Sequence, residues 1–300
     1  MKTRILFAAL AAIATGALTF AATPLSPFFQ AMNQEQAPFK IADNLYYVGM
    51  SDVTSYLIVT PKGDILIDGA FEQSAPAILA HVRALGFDPK AIKILLNSHA
   101  HTDHAGGLAA IKAATGAQFV ASAPDAPELA AGGHDDFALR DTALFPAVRA
   151  DRIIHDGDTV SLGGTTLTAH ITAGHTKGCT TWTLPLTVDG KPQTALFLCS
   201  LSVLDSFRLV DNPRYPAQAA DFAKSFGALK TLKCDVFLGA HGQFFGLKEK
   251  AAALAAGAKP NPFVDPQGCR AYVAKAEAAF DKRLAQCKAD PANCGDAKKD

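Results

Sequence analysis

Two periods organise the hydrophobic positions of the chain. Tyr56-Leu57-Ile58-Val59-Thr60 and Ile65-Leu66-Ile67 flank Pro61-Lys62-Gly63-Asp64, which predicts a β-hairpin. Residues 74–85 have apolar positions at helical spacing and stop at Gly86, a suitable C-cap. Ile92–Leu96 predicts a buried strand, residues 106–114 a helix ended by Gly116, and Gln118–Ser122 another strand. The second half repeats this order. Strands are expected over Thr165–Thr172 and Thr180–Leu186, with a turn at Asp189-Gly190 leading to a strand over Thr194–Cys199. A helix over 216–230 starts with Pro216, a strand covers Cys234–Ala240, and helices follow over 246–256 and 266–287. Strands followed by helices in both halves predict an α/β protein with two sheets and helices outside. Composition does not break between the halves, so residues 44–300 read as a single domain. Residues 22–43 are polar and Pro-containing and read as a loosely held N-terminal arm.

The start of the chain has a different grammar. Lys2 and Arg4 precede the unbroken apolar run Ile5–Ala14, and Thr19 and Ala21 suit the small-residue positions of a cleavage site. Residues 1–21 therefore read as a secretory signal peptide, and the rest as an exported, periplasmic, soluble protein. The apolar run is short for the ~20 residues of a membrane anchor. The 300 residues carry 28 Lys plus Arg against 28 Asp plus Glu, so no basic field exists to hold nucleic acid. At 49% hydrophobic and 19% charged, the chain is globular rather than disordered. Six cysteines, at 179, 199, 234, 269, 287 and 294, are expected to form some disulfides in an exported protein. The pairing is open, since six allow about 15 connectivities; Cys287 and Cys294 are candidates for a pair near the tail.

Chemistry enters with the histidines. The predicted strand at Ile92–Leu96 runs into Asn97-Ser98-His99-Ala100-His101-Thr102-Asp103-His104. His99 and His101 are two apart, so in extended chain they point to one side. Asp103 and His104 follow where the chain turns into a helix. Three imidazoles and a carboxylate on one short loop suit divalent ions such as Zn²⁺, and exceed what one tetrahedral ion with an open position takes from one segment. Two adjacent metals fit better. His175, in Gly174-His175-Thr176, and His241, in Ala240-His241-Gly242, each leave the end of a predicted strand beside glycine. That is where such sheets place their sites. His81, His134, His155 and His170 lack this context and read as structural or solvent-facing, with His170 close enough in sequence to support His175.

On these motifs the chain resembles the metallo-β-lactamase superfamily: Asp68 in Leu66-Ile67-Asp68-Gly69, His99-x-His101-x-Asp103-His104, Gly174-His175-Thr176 and His241. Finer features are similar to subclass B3: Gly174–Gly178 before Thr181-Trp182, Asp211–Pro216 leading into Asp221-Phe222, Cys234–Phe245, and Asn261-Pro262-Phe263 leading to Cys269. The resemblance implies an αββα sandwich of two mixed β-sheets with a dinuclear zinc site at one edge. It implies that His99, His101 and His175 hold the first zinc, and Asp103, His104 and His241 the second. It also implies a Cys234–Cys269 disulfide, a supporting role for buried Asp68, and substrate binding by Ser200 and Ser202. Those serines stand where lactonases and glyoxalase II of the superfamily carry a metal-bridging aspartate. Cys199 keeps two readings, a packed thiol or a group at the metal.

The activity so implied is zinc-dependent hydrolysis of β-lactam antibiotics by a zinc-bound hydroxide, with Asp103 as ligand and catalytic proton relay. The alternatives are another hydrolase of the fold, a lactonase or thioesterase, and a non-catalytic periplasmic zinc-binding protein. The expected partner is a small-molecule β-lactam, with neither nucleic acid nor, after signal cleavage, membrane; the chain is expected to act as a monomer.

Overall fold

The computed structural model describes residues 24–295; the expected signal peptide lies outside them. In chain order the elements begin with α1 (Pro27–Met32), β1 (Phe39–Ala42), β2 (Leu45–Tyr47), β3 (Tyr56–Thr60), β4 (Gly63–Ile67) and α2 (Ala75–Ala84). Next come β5 (Ile92–Leu96), α3 (Thr102–Ala105), α4 (Leu108–Thr115), β6 (Gln118–Ser122), α5 (Ala126–Ala131) and β7 (Arg152–Ile154). The second half holds β8 (Thr159–Leu162), β9 (Thr165–Ile171), β10 (Thr180–Val188), β11 (Lys191–Leu198), α6 (Gln218–Thr231) and β12 (Val236–Gly239). It closes with α7 (Gly242–Phe245), α8 (Leu247–Ala255) and α9 (Pro266–Ala289). Strands β1 to β7 form one sheet in sequence order, and the second runs β12-β11-β10-β9-β8. Both are mixed: β4 to β7 pair in parallel, as do β11 and β12, and the other pairs are antiparallel.

The central strands are apolar on both faces, and the structure uses both. From β3, β4 and β5, Tyr56, Ile58, Ile65, Ile67, Ile94 and Leu96 pack inward against Leu167, Ala169, Trp182 and Leu184 of the second sheet. Their alternates Leu57, Leu66 and Leu95 pack outward against Ile78, Val82, Leu108 and Ile111 of α2 and α4. Period-two alternation thus builds two cores from one strand. On the far side Phe222, Phe226 and Phe280, from α6 and α9, cover the second sheet. The result is an αββα sandwich.

Two expectations need correction. The arm is not loose throughout: β1 pairs with β2, Phe39 stacks on Tyr47 at 5.3 Å, and Asn261 Nδ2 donates to the Ile41 carbonyl at 2.7 Å. Only Ile41 and Ala42 of that strand are buried, too short an alternation to be legible as sequence. The helix expected over 106–114 starts earlier and divides, because α3 and α4 are separated at Gly106-Gly107. There the chain crosses the segment after β4 so closely that a Cβ on Gly107 would stand 2.2 Å from the Gly69 carbonyl oxygen. The Asp103–His104 pair consequently sits in α3 itself.

All six cysteines are paired: Cys179–Cys199, Cys234–Cys269 and Cys287–Cys294. Cys199 is therefore neither a packed thiol nor a metal ligand. No helix among the described residues is long and apolar enough to cross a membrane.

Candidate metal centre

The site lies along one edge, at the C-terminal ends of β4, β5, β9, β11 and β12. Asp68, just after β4, organises the start. It adopts φ 62°, and its Oδ1 accepts from Asn97 Nδ2 at 2.9 Å and Ser98 N at 2.7 Å. The chain leaving β5 is thereby fixed, and His99 and His101 project into the site with little exposure. The His104 amide donates to the His101 carbonyl at 3.0 Å, so the turn of α3 brings Asp103 and His104 back to the same place.

His175 arrives on the β9–β10 connection, and its Nδ1 donates to the Ser202 carbonyl at 2.7 Å, which turns Nε2 toward His99 and His101. His241 follows β12, and its Nδ1 donates to Asp52 Oδ2 at 2.9 Å. Asp52 is held in turn by the Gln243 amide at 2.8 Å. A carboxylate behind an imidazole fixes ring orientation and tautomer, as in metal sites generally.

The six predicted ligands form two adjoining triads. Donor atoms of His99, His101 and His175 all lie within 4.8 Å of one another. In the other triad His104 Nε2 and His241 Nε2 are 3.2 Å apart, with Asp103 Oδ2 3.4 Å from the first and 3.5 Å from the second. The triads meet where the His99 and His104 rings stand 4.2 Å apart, centroid to centroid.

Does this fit a metal? Ligands 2.0–2.1 Å from a tetrahedral zinc stand about 3.3–3.4 Å from each other. The second triad has that spacing. In the first, the Nε2 atoms of His99 and His101 are buried without a hydrogen-bond partner. Buried polar atoms are rarely left unpaired, so two on one spot call for an ion. The residues fit.

Electrostatics separates the triads. Burial, and then the neighbouring imidazoles, hold His99 and His175 well below the ordinary histidine pKa. Burial opposes charge on His104 too, but Asp103, with help from Asp68 3.6 Å from its Nδ1, pushes it up to about 10. Burial would raise Asp103; the His104, His241 and His101 imidazoles instead hold its carboxyl far below the usual range.

The other predicted residues fall around this centre. Ser200 is buried, and its hydroxyl accepts the Ser202 amide at 3.3 Å; Ser202 is part-exposed. The Cys199 sulfur, tied to Cys179, touches the Ser98 carbonyl oxygen at 3.2 Å, beneath His99. His170 faces Thr183 at 2.9 Å rather than His175, and His81 is buried between the Val48 carbonyl and Glu35. Reading the sequence missed Asp52 and Asp125. Asp52 stands 189 positions from His241, and no spacing announces it. The signal for Asp125 was weak, a Pro-Asp pair after a predicted strand.

A two-sheet sandwich carrying His and Asp donors at its edge defines a class of metal-dependent protein. The superfamily profile described as "Metallo-beta-lactamase superfamily" matches residues 48–241, and the chain belongs to that superfamily. Among solved structures it is similar to FEZ-1 metallo-beta-lactamase from Legionella gormanii: 44% identity, TM-score 0.84, 86% of this chain and 98% of that one. It is also similar to BJP-1, a subclass B3 metallo-beta-lactamase of Bradyrhizobium japonicum: 40% identity, TM-score 0.80, 86% of this chain and 97% of that one. A curated relative, a hydroxyacylglutathione hydrolase of Hyphomonas neptunium, is 37% identical over 87 residues, 29% of this chain. The match spans only 27% of that relative's length.

Proposed function

We propose that this protein is an exported, zinc-dependent β-lactamase that opens the lactam amide of β-lactam antibiotics. The observation that carries the reading is the pair of adjoining triads at the mouth of a fold shared, nearly end to end, with FEZ-1 and BJP-1. His99, His101 and His175 would hold one zinc, and Asp103, His104 and His241 the other. Bound zinc supplies Lewis acidity and lowers the pKa of water to about 7, so no serine or cysteine nucleophile is needed.

The chain's own groups do the rest. Asp103 stays ionised, and its carboxylate can hold and orient a water by accepting a hydrogen bond from it. Asp52 and the Ser202 carbonyl keep His241 and His175 turned inward. In this reading the Ser200 and Ser202 hydroxyls would donate to the substrate carboxylate, and the Ser200 hydroxyl, which accepts the Ser202 amide at 3.3 Å, also braces the loop.

The second reading, a thioesterase, is favoured by the local match to hydroxyacylglutathione hydrolases. Against it, Ser200 rather than an aspartate stands at the end of β11. The test is turnover of a chromogenic cephalosporin and of a hydroxyacylglutathione by the same preparation. Cephalosporin cleavage that chelator abolishes and zinc restores supports the proposal; cleavage of the thioester alone overturns it.

A further inference from the structure

Asp125 ends the stretch between β6 and α5, and no cation pairs with it among the described residues. Its side chain is buried, and burial pushes its carboxyl up to about 6. Three donors converge on it: Oδ2 accepts from the Ala100 amide at 3.1 Å and the Thr176 hydroxyl at 2.7 Å, and Oδ1 accepts from the Gly178 amide at 2.6 Å. Ala100 lies between His99 and His101, and Thr176 follows His175. One carboxylate therefore ties together the two loops that supply the whole first triad.

The same connection grips from a second point. The Ser122 hydroxyl donates to the Gly178 carbonyl at 2.8 Å. A Cβ on Gly178 would stand 2.1 Å from Ser122 Oγ and 2.6 Å from the Asp125 amide nitrogen, so only glycine lets the loops close. The second triad has a support of its own in Asp52, behind His241, and shares Asp68, which stands behind His104 and also holds the chain leading to His99.

The geometry points to Asp125 as the positioning residue of the first half-site, setting the metal affinity of His99, His101 and His175 and not that of the other triad. Only a carboxylate serves. An asparagine has one acceptor oxygen, and however it is turned its NH₂ meets the amide of Ala100 or Gly178, neither of which can reverse its role. This inference rests on the zinc reading above.

Single-site backgrounds test it. His104→Ala leaves the first triad intact, and His175→Ala leaves the second. Zinc affinity is measured in each by competition with a chromophoric chelator, with and without Asp125→Asn. Asp125→Asn should weaken zinc about 10- to 100-fold in the His104→Ala protein and leave the His175→Ala protein unchanged. Thr176→Val, which removes one of the three bonds, should act in the same direction by less, and Thr176→Ser should restore affinity. Should Asp125→Asn fail to fold, the Thr176 pair makes the same comparison. In the metal-free protein, amide hydrogen exchange at Ala100 and Gly178 should quicken in Asp125→Asn, while that at Gln243 stays the same. Equal weakening in both backgrounds, or none in His104→Ala, overturns the inference. Wild-type protein that binds no zinc overturns the metal reading instead, and the amide exchange then still decides whether Asp125 clamps the loops.

Discussion

The first triad, His99, His101 and His175, contains three imidazoles and no carboxylate, whereas the second sets Asp103 against His104 and His241 and backs them with Asp68 and Asp52. The first is kept neutral: burial holds all three imidazoles below the ordinary histidine pKa, and the Nε2 atoms of His99 and His101 are buried without a hydrogen-bond partner. The second is a charged network in which Asp103 is ionised and His104 carries a proton. Equal numbers of ligands thus make unlike sites. One offers a cation neutral donors; the other would have to give up a proton to take one.

Removing a ligand should have the largest effect. His99→Ala or His175→Ala should empty the first site, and His104→Ala or His241→Ala the second. Each should cost more than the about 100-fold typical of outer supports, measured as zinc content by metal analysis and as rate. Loss of both ions from any one change would mean that the triads are a single unit and would break the comparison.

Proton competition comes next. Asp103 pushes His104 up to about 10, so a zinc ion bound there would have to displace its proton at every pH below that. Affinity at the second triad should fall about tenfold per unit, or about 100-fold from about pH 8 to about pH 6. His99 and His175 are held below 6.5, so affinity at the first should stay level until about that pH. Chelator competition in the single-site backgrounds reads both slopes, and parallel slopes would refute the contrast.

Asp52→Asn keeps an acceptor for His241 Nδ1 but removes the carboxylate charge behind the ring. It should weaken the second site by about 10- to 100-fold and leave the first alone, again by zinc titration. Ser202→Ala should be mildest. The carbonyl that holds His175 survives the change, so zinc content should not move. KM for a β-lactam should rise by about tenfold or somewhat more, as for loss of one charge-assisted hydrogen bond, with kcat changed less. Unchanged kinetics would show that the hydroxyl does not reach the substrate.

Much of this was legible before any fold was in hand. His99, His101, Asp103 and His104 span six positions, and a strand end followed by a helical turn is enough to gather them. The central strands could be read from short runs of mostly apolar residues, because burial of nearly every position on both faces leaves little polar alternation to mislead. β1 and β7 were not readable: they are three or four residues long and half exposed, so neighbours rather than their own pattern make them strands. Cys199 could not be settled either, since its partner Cys179 lies across the β10–β11 hairpin.

By itself, then, the sequence determined what depends on short-range geometry: period, turn chemistry, and the cluster on one loop. Tertiary structure decided which triad His175 and His241 join, that Asp52 backs one and Asp125 ties the other, and that all the sulfurs are paired. The physical reason is range. Hydrogen bonds within a turn follow from neighbouring residues. A carboxylate meets an imidazole 189 positions away only because sheet register and the packing of two cores bring their loops to one edge.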